Sequence, residues 1–417
     1  MARGGAAPTS SLVIQREGGA DRASGPVGVH FTKTIVYNGR MESQKTIGII
    51  GGGQLGRMLT LAALPLGFKV VVVNPSAGSP AAQVGAEEIV ADLYDPKALQ
   101  ELAERSDYIT IEIEHLDVDA IDSIAKLGTP VNPAPSIIRI IQDKFAQKEF
   151  LAAAGIPVAP FVAIESEKDA IEALKKFDGK MLLKTRLGAY DGRGNMVVAS
   201  AADIKEAFER FNGTPLYAEA YIPFERELAV MVARSMRDEI ALYPIVQTIH
   251  ERNICIEVLA PAPVSDDIHE RAAAIANSVA ELLQGAGTFG IEMFLTNTGD
   301  ILINEIAPRV HNSGHYTTEA SRTSQFEQHV RAISDLPLGD TSMVVPAAVM
   351  VNILGEHDRP TIITGLQDSL SIPATSVHLY GKFPTKIDRK MGHITATAST
   401  IEEARKRARA ARKLISL

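Results

Sequence analysis

This chain has little of what would tie it to a membrane, an oxidising compartment or a nucleic-acid backbone. A single cysteine, Cys255, in 417 residues excludes an internal disulfide and fits a reducing compartment. No apolar run reaches the ~18–20 residues that a membrane span needs. A net charge of −8 argues against broad binding to nucleic acid or to an anionic membrane, although local basic clusters can still hold small anions. The cytoplasm is therefore the expected location, with neither nucleic acid nor membrane as partner. No Gly-Lys-Ser/Thr opens a helix, so there is no Walker A loop. No secretory apolar segment opens the chain, and no internal repeat runs through it. What remains is ordinary: 46% apolar and 22% charged residues, enough for two or three domains with ample core.

The first 44 residues differ from the rest. Met1 to Ser24 is rich in Gly, Ala, Ser and Arg without periodicity, which predicts a disordered extension, and Met41 stands just before the first convincing strand. From Thr46 the pattern alternates: a strand over Thr46 to Ile50, the turn Gly51-Gly52-Gly53-Gln54-Leu55-Gly56, and a helix from Arg57. Further strands are read at Lys69 to Val73, Ile89 to Asp92 and Tyr108 to Ile111, with a helix over Asp95 to Arg105. Such alternation predicts an α/β, doubly wound (Rossmann-like) parallel sheet over residues 45–142. The Gly-x-Gly-x-x-Gly spacing invites a dinucleotide reading, but the acidic ribose clamp due about 20 residues later is replaced by Asn74-Pro75. The turn is instead expected to offer N–H groups to a phosphate monoester at the helix N-terminus.

Ser136 to Ala154 reads as one long amphipathic stretch with Asp143-Lys144 near its middle, leading into a mixed α+β region over 143–343. Beyond Val344, short strands at Ala347 to Ile353, Ser376 to Leu379 and Gly392 to Thr397 predict a small β-rich domain over 344–417. A helix over Ile401 to Leu414, its basic run a solvated face, closes it.

Three segments carry chemistry. Between the strand-like runs Met181-Leu182-Leu183 and Met196-Val197-Val198 lies Lys184 to Asn195, with glycines at 188, 192 and 194, the cations Lys184, Arg186 and Arg193, and Asp191. That composition suits a flap over nucleotide phosphates. Next, Gly290 to Leu295 and Ile301 to Glu305 flank a hairpin loop at Asn297 to Asp300. A two- or four-residue loop sets Glu292 opposite Glu305, and two facing carboxylates among apolar neighbours need a shared proton or a cation of the Mg²⁺ type. A three-residue loop shifts that register. Third, Leu216 to Phe224 reads as an extended stretch with free backbone groups, followed by Glu225-Arg226-Glu227, which can hold an adenine edge and ribose hydroxyls.

The loop Ala307 to Tyr316 is dense in hydrogen-bonding groups. His311 and His315 lack the third ligand that zinc needs, so donors aimed at phosphate or bicarbonate are expected. His250 alone does not separate a structural from a functional role. Lys382, Arg389 and Lys390 gather positive charge near the C-terminus of an acidic chain, as a second anion site or a solvated turn.

Together the runs Gly51 to Met58, Gln142 to Phe145, Lys184 to Asn195, Phe224 to Glu227, Asn304 to Arg309, His311 to Tyr316 and Arg389 to His393 resemble the ATP-grasp superfamily. Within it they resemble the 5-(carboxyamino)imidazole ribonucleotide synthases, ATP-dependent carboxylases of purine biosynthesis, from about Lys45 to the end. The resemblance implies an ATP-grasp fold between the Rossmann-like and C-terminal domains, and an ATP-dependent carbon–nitrogen ligase, typically a homodimer. It implies ATP contacts at Lys144, Lys184, Ala189, Tyr190, Asp191, Gly192, Arg193, Gly194 and Asn195. Adenine would lie along Glu219, Ala220, Tyr221 and Ile222, with Glu227 on ribose and His250, Asn304 and Glu305 nearby. Glu292 and Glu305 would hold Mg²⁺.

Aminoimidazole ribonucleotide would face Tyr190, Asp191, Arg193 and Asn312, its phosphate gripped by Gln54, Leu55, Lys382, Arg389 and Lys390. Asp191, Arg193 and Lys184 would serve the reaction of bicarbonate, activated by ATP as carboxyphosphate, with the exocyclic amine. Ala189 and Val310 stand where the family has Gly and Pro, and Gln247 where an acidic residue is common. The alternatives are a formate-dependent ribonucleotide transformylase of the same superfamily and, more remotely, a dinucleotide-dependent oxidoreductase.

Overall fold

The computed structural model describes residues 35–37, 40–42, 44–188 and 194–417. The expected N-terminal extension thus lies almost wholly outside the described residues. Within it, Ile35–Tyr37 pairs antiparallel with Arg40–Glu42 as a unit of its own. The flap residues Ala189, Tyr190, Asp191, Gly192 and Arg193 also lie outside. No helix among the described residues is long and apolar enough to cross a membrane.

The strands Thr46–Ile50, Lys69–Asn74, Glu87–Val90 and Tyr108–Ile111 form a parallel sheet, with Thr46–Ile50 between Lys69–Asn74 and Tyr108–Ile111. The Val/Ile runs of Thr46–Ile50, Lys69–Asn74 and Tyr108–Ile111 are buried because helices cover a parallel sheet on both faces. Helix Pro96–Glu104 begins on Asp95, whose side chain accepts from the Lys97 N–H at 2.9 Å.

The stretch expected as one helix over Ser136 to Ala154 is two, Pro135–Gln142 and Lys144–Ala153. Asp143 leaves the helical region (φ −92°, ψ 103°) and turns its carboxylate to the N–H groups of Phe145 and Ala146. A short acidic side chain at that point caps a new helix better than it continues an old one. The break sets Lys144 at the first position of the second helix.

Strands Phe161–Ile164, Leu216–Ala220, Met181–Thr185 and Asn195–Val198 make an antiparallel sheet in that order, and its core includes residues of helices Glu167–Lys176 and Ala201–Phe211. Lys184 pairs with Asn195, so the flap springs from adjacent strands. A larger sheet runs Ile301–Ala307, Gly287–Thr296, Phe224–Arg234, Val246–Glu251, Ile254–Ala260, Ala347–Leu354, Lys390–Ala398, Thr375–Leu379, with Ile240–Leu242 also on Phe224–Arg234. The terminal strands therefore build no sheet of their own: Glu257 pairs with Val351, and the ladder crosses position 344 without a break. Closing helix Ile401–Leu414 buries Ala404, Ala408 and Ala411, and its Arg405 and Arg409 both pair with the buried Glu257. Part of the basic run is thus committed inward.

Candidate active site

The carboxylate hairpin comes out as expected at its key position by a different route. Thr296 N–H donates to Asp300 O and Gly299 N–H to Thr296 O, with Gly299 at φ +85°, closing a three-residue loop. Near the loop Leu295 pairs with Ile301 and Met293 with Ile303, one residue off the anticipated ladder. A bulge at Asn304 then restores it, and Glu292 does face Glu305. Asn304, expected at the nucleotide, is the bulged residue. Burial, then the facing Glu305, pushes the Glu292 carboxyl up to about 7. Lys144 holds Glu305 low instead, with its Nζ 2.8 Å from Glu305 Oε2.

Around this pair the chain assembles charge. Glu227 and His250, on neighbouring strands, lie 3.0 Å apart (Oε2 to Nδ1) at ion-pair distance without an aligned hydrogen bond. Burial lowers the His250 pKa but Glu227 outweighs it, and the net shift is upward. His311 Nε2 stands 3.7 Å from Glu292 Oε1, and burial drives its pKa down to about 3, leaving a neutral ring. Gly290 permits this approach, since a Cβ there would come within 2.6 Å of His311 Cβ. His315, by contrast, is committed to Gln325, whose Nε2 lies 2.9 Å from its Nδ1.

Behind the pair, Glu219 is fully buried with its Oε2 3.2 Å from both Lys184 Nζ and Lys148 Nζ. Burial raises the Glu219 pKa, yet the two lysines outweigh it and hold it below the usual carboxylate range. Lys148 was not singled out from sequence. It lies four residues after Lys144 on the same helix, and the i, i+4 spacing was the signal that could have found it. The Glu219 side chain is thus spent on lysines. Backbone groups of Leu216–Ala220 are likewise taken, paired on both sides by Phe161–Ile164 and Met181–Thr185. Only Tyr221, Ile222 and Pro223 remain outside the ladder, because a strand central to its sheet cannot leave its N–H and C=O groups open. Tyr221 sits under Lys180, whose Nζ is 3.6 Å from the ring centre.

The glycine-rich turn departs from expectation. Its Gly53 and Gly56 N–H groups donate to the carboxylate of Glu112, at 2.5 and 2.6 Å, so the chain's own anion takes the place expected for a phosphate there. Side chains at 53 or 56 would collide with that carboxylate or with the Gly51 carbonyl. Burial raises the Glu112 pKa against the pull of those N–H groups and of Lys382 and Arg309. Neighbouring Glu114 takes the Arg309 guanidinium (Nε–Oε2 2.5 Å, Nη2–Oε1 2.9 Å). Glu112, Glu114 and Arg309 were not assigned from sequence; nothing local marks a carboxylate as the partner of a turn so distant in the chain.

Of the C-terminal cations, Lys382 reaches the carboxylate that fills this turn. Gln83 donates to Gly381 O at 2.9 Å, Lys382 acts on Glu112, and Lys390 acts on His250 and His311. Lys382 Nζ donates to Lys390 O, whereas Arg389 points to Pro384 O. Gln54 and Leu55 begin the helix after the turn; Leu55 buries its side chain, leaving only backbone to offer. Asn312, expected at substrate, exchanges amide hydrogen bonds with Asn352 (3.0 and 2.6 Å), because two buried amides on facing elements satisfy each other. At the flap root, Gly194 O accepts from Thr185 N–H. Among the departures from the family pattern, Gln247 accepts from Arg226 at 2.8 Å, and Val310 is fully buried in the core.

Comparison with known proteins identifies the family. The chain matches the ribonucleotide synthetase preATP-grasp domain over residues 44–142, the ATP-grasp domain over 149–326 and the phosphoribosylaminoimidazole carboxylase C-terminal domain over 348–407. It is 45% identical to a phosphoribosylaminoimidazole carboxylase of Ogataea methanolica over 88% of this chain and 69% of that one. The chain thus spans about two thirds of the fungal carboxylases that it matches. An N5-carboxyaminoimidazole ribonucleotide synthase of Synechococcus elongatus is 41% identical over 86% of this chain and 91% of its own length. A crystal structure of N5-carboxyaminoimidazole synthase from Aspergillus clavatus, in complex with ADP and 5-aminoimidazole ribonucleotide, superposes with a TM-score of 0.83. It is 38% identical over 89% of this chain and 98% of that one. With three domain matches in order and the synthase relatives covered nearly end to end, the chain belongs to the N5-carboxyaminoimidazole ribonucleotide synthase family of ATP-grasp enzymes.

Proposed function

We propose that this chain joins bicarbonate to the exocyclic amine of 5-aminoimidazole ribonucleotide, converting ATP to ADP and phosphate through carboxyphosphate. The observation that carries the reading is the opposed pair Glu292 and Glu305, set among Lys144, Lys184 and His250 and approached by Lys390 from the C-terminal strands. A nucleotide site and a second anion site then adjoin, as a two-substrate ligase requires. The pair fits Mg²⁺: two carboxylates that cannot comfortably ionise together form a hard-oxygen donor set for a small dication. When bound, the ion would offset charge on the polyphosphate.

The chain's own residues do the remaining work. Lys144 and Lys184 neutralise phosphate oxygens, and each is now held by a carboxylate, Glu305 and Glu219 respectively, that sets its direction. Tyr221 and Ile222 offer unpaired backbone to adenine, and Glu227 faces ribose. Lys382, Lys390 and the N–H groups of Gln54 and Leu55 take the ribonucleotide phosphate, with Arg389 at its rim. Asp191 and Arg193 in the flap orient the amine, and closure keeps carboxyphosphate from water.

The same reading places the protein in the cytoplasm as a homodimer. A buried lone cysteine and the exposed Leu61, Leu64 and Leu66 support it, and light scattering tests the dimer. The deciding experiment is phosphate release from ATP with 5-aminoimidazole ribonucleotide, with and without bicarbonate. Release that depends on bicarbonate is expected; release that depends on formate instead overturns the substrate assignment.

A further inference from the structure

Outside the nucleotide site, a cluster of metal-ligating side chains sits where the C-terminal strands meet the segment following the carboxylate hairpin. His378, on edge strand Thr375–Leu379, lies directly opposite His393 on Lys390–Ala398, and the two rings stack with centroids 4.4 Å apart. Glu319, from the short helix Thr317–Ala320, brings Oε1 within 2.5 Å of His378 Nε2. One ligand atom from each of the three falls within 4.8 Å of the other two. Two of the three residues each carry a polar atom, His393 Nε2 and Glu319 Oε2, that is buried without a hydrogen-bond partner among the described residues. Buried polar atoms are nearly always satisfied, so two orphans in one cluster call for an occupant.

We propose that Glu319, His378 and His393 form a second metal site, for a zinc-class divalent ion, that ties the C-terminal strands to the helix beneath them. The donor set is two imidazoles and a carboxylate, which favours zinc over the all-oxygen sites preferred by Mg²⁺ or Ca²⁺. Tyr380 supplies the outer support that metal-bound histidines commonly have. Its hydroxyl lies 2.9 Å from His393 Nδ1, so an Nδ1–H donating there leaves the Nε2 lone pair aimed at the cluster. Burial and the adjacent His315 and His378 keep the His393 ring neutral, the form that ligates. Zinc bonds of about 2.0–2.2 Å set the donors roughly 3.3–3.5 Å apart, so the wider separations must close and the Glu319–His378 pair must part, each by roughly 1 Å. The movement falls on His378, half-exposed at a sheet edge, whose ring leaves its stack as the ion replaces the proton shared with Glu319. A water completes the fourth position. The site shares no residue with Glu292 and Glu305.

The full chain, stripped with chelator, is dialysed against Zn²⁺ with millimolar Mg²⁺ present throughout, and bound zinc is measured by elemental analysis. One Zn²⁺ per chain is expected, together with a rise in melting temperature and, with Co²⁺, the intense visible absorption of a four-coordinate site. His378→Gln and Glu319→Gln should lose the ion and the thermal shift. Tyr380→Phe should weaken binding roughly 10- to 100-fold. His269→Gln, remote from the cluster, should retain it. Absence of stoichiometric Zn²⁺ in the wild type, or wild-type binding in a folded His378→Gln, overturns the proposal. If His378→Gln does not fold, the Co²⁺ spectrum of the wild type and of Tyr380→Phe decides in its place.

Discussion

Glu292→Gln is the most informative single change, because its effect on stability and its effect on cation binding have opposite signs. In the metal-free protein the Glu292 carboxyl is raised from 4.5 to about 7 by burial and by Glu305. Below about pH 4.5 the group is protonated in both folded and unfolded chains, and nothing is lost. As the pH climbs toward 7 the unfolded chain ionises while the folded one does not, so stability falls and then levels off. A rise of that size, at about 1.36 kcal/mol per pKa unit, sets the loss at roughly 3 kcal/mol by pH 8. Glutamine keeps the shape and removes the charge, so the variant escapes that loss.

In EDTA its melting temperature should exceed the wild type's by roughly 3 °C at pH 8, with the gap closing by pH 5. His250, whose pKa is raised chiefly by Glu227, titrates in both proteins and largely cancels. Adding Mg²⁺ and ATP should reverse the order. The wild type gains stability, releasing a proton below about pH 7, and the variant with one carboxylate left gains little. Differential scanning fluorimetry over pH 5–8.5 reads both arms. A gap that does not change with pH, or equal stabilisation of both proteins by Mg²⁺ and ATP, refutes the assignment of Glu292 to a cation site.

Other expectations follow from the same contacts. Lys390→Ala should raise KM for 5-aminoimidazole ribonucleotide about 10- to 150-fold, the loss of a charge-assisted contact of roughly 1.5–3 kcal/mol, with little change in KM for ATP. An equal penalty on ATP would move Lys390 to the nucleotide. Glu219→Gln should destabilise by about 3–5 kcal/mol, since it strands two buried lysines. Lys148→Met, which leaves Glu219 paired with Lys184, should cost far less, and denaturant melts order the two. Asp143→Ala removes both a helix cap and the Arg186 pair, whereas Asp143→Asn keeps the cap. The alanine variant should lose about 0.5–2 kcal/mol more, and similar melts for the two would show that the cap contributes little.

Much of this protein is written in local pattern. Parallel strands announce themselves as Val/Ile runs, and a strand, three glycines and a helix announce the turn at 51–56. Glu292 and Glu305 are placed face to face by alternation on a hairpin. Even there the loop has three residues, neither the two nor the four that would set the pair directly, and the Asn304 bulge restores it, a compensation that no pairing rule derives from the loop alone. Short-range physics acts between residues a few positions apart, so sequence resolves it.

What the sequence does not carry is which distant group arrives. Glu112 claims the glycine N–H groups, Lys148 joins Lys184 on Glu219, and Asn312 turns to Asn352. The terminal strands extend the ATP-grasp sheet rather than closing on themselves, and Glu319 meets His378 and His393. Each follows from the requirement that buried polar groups and strand edges find partners. That requirement fixes that a partner must exist, while only the packing of the whole chain decides which one is within reach.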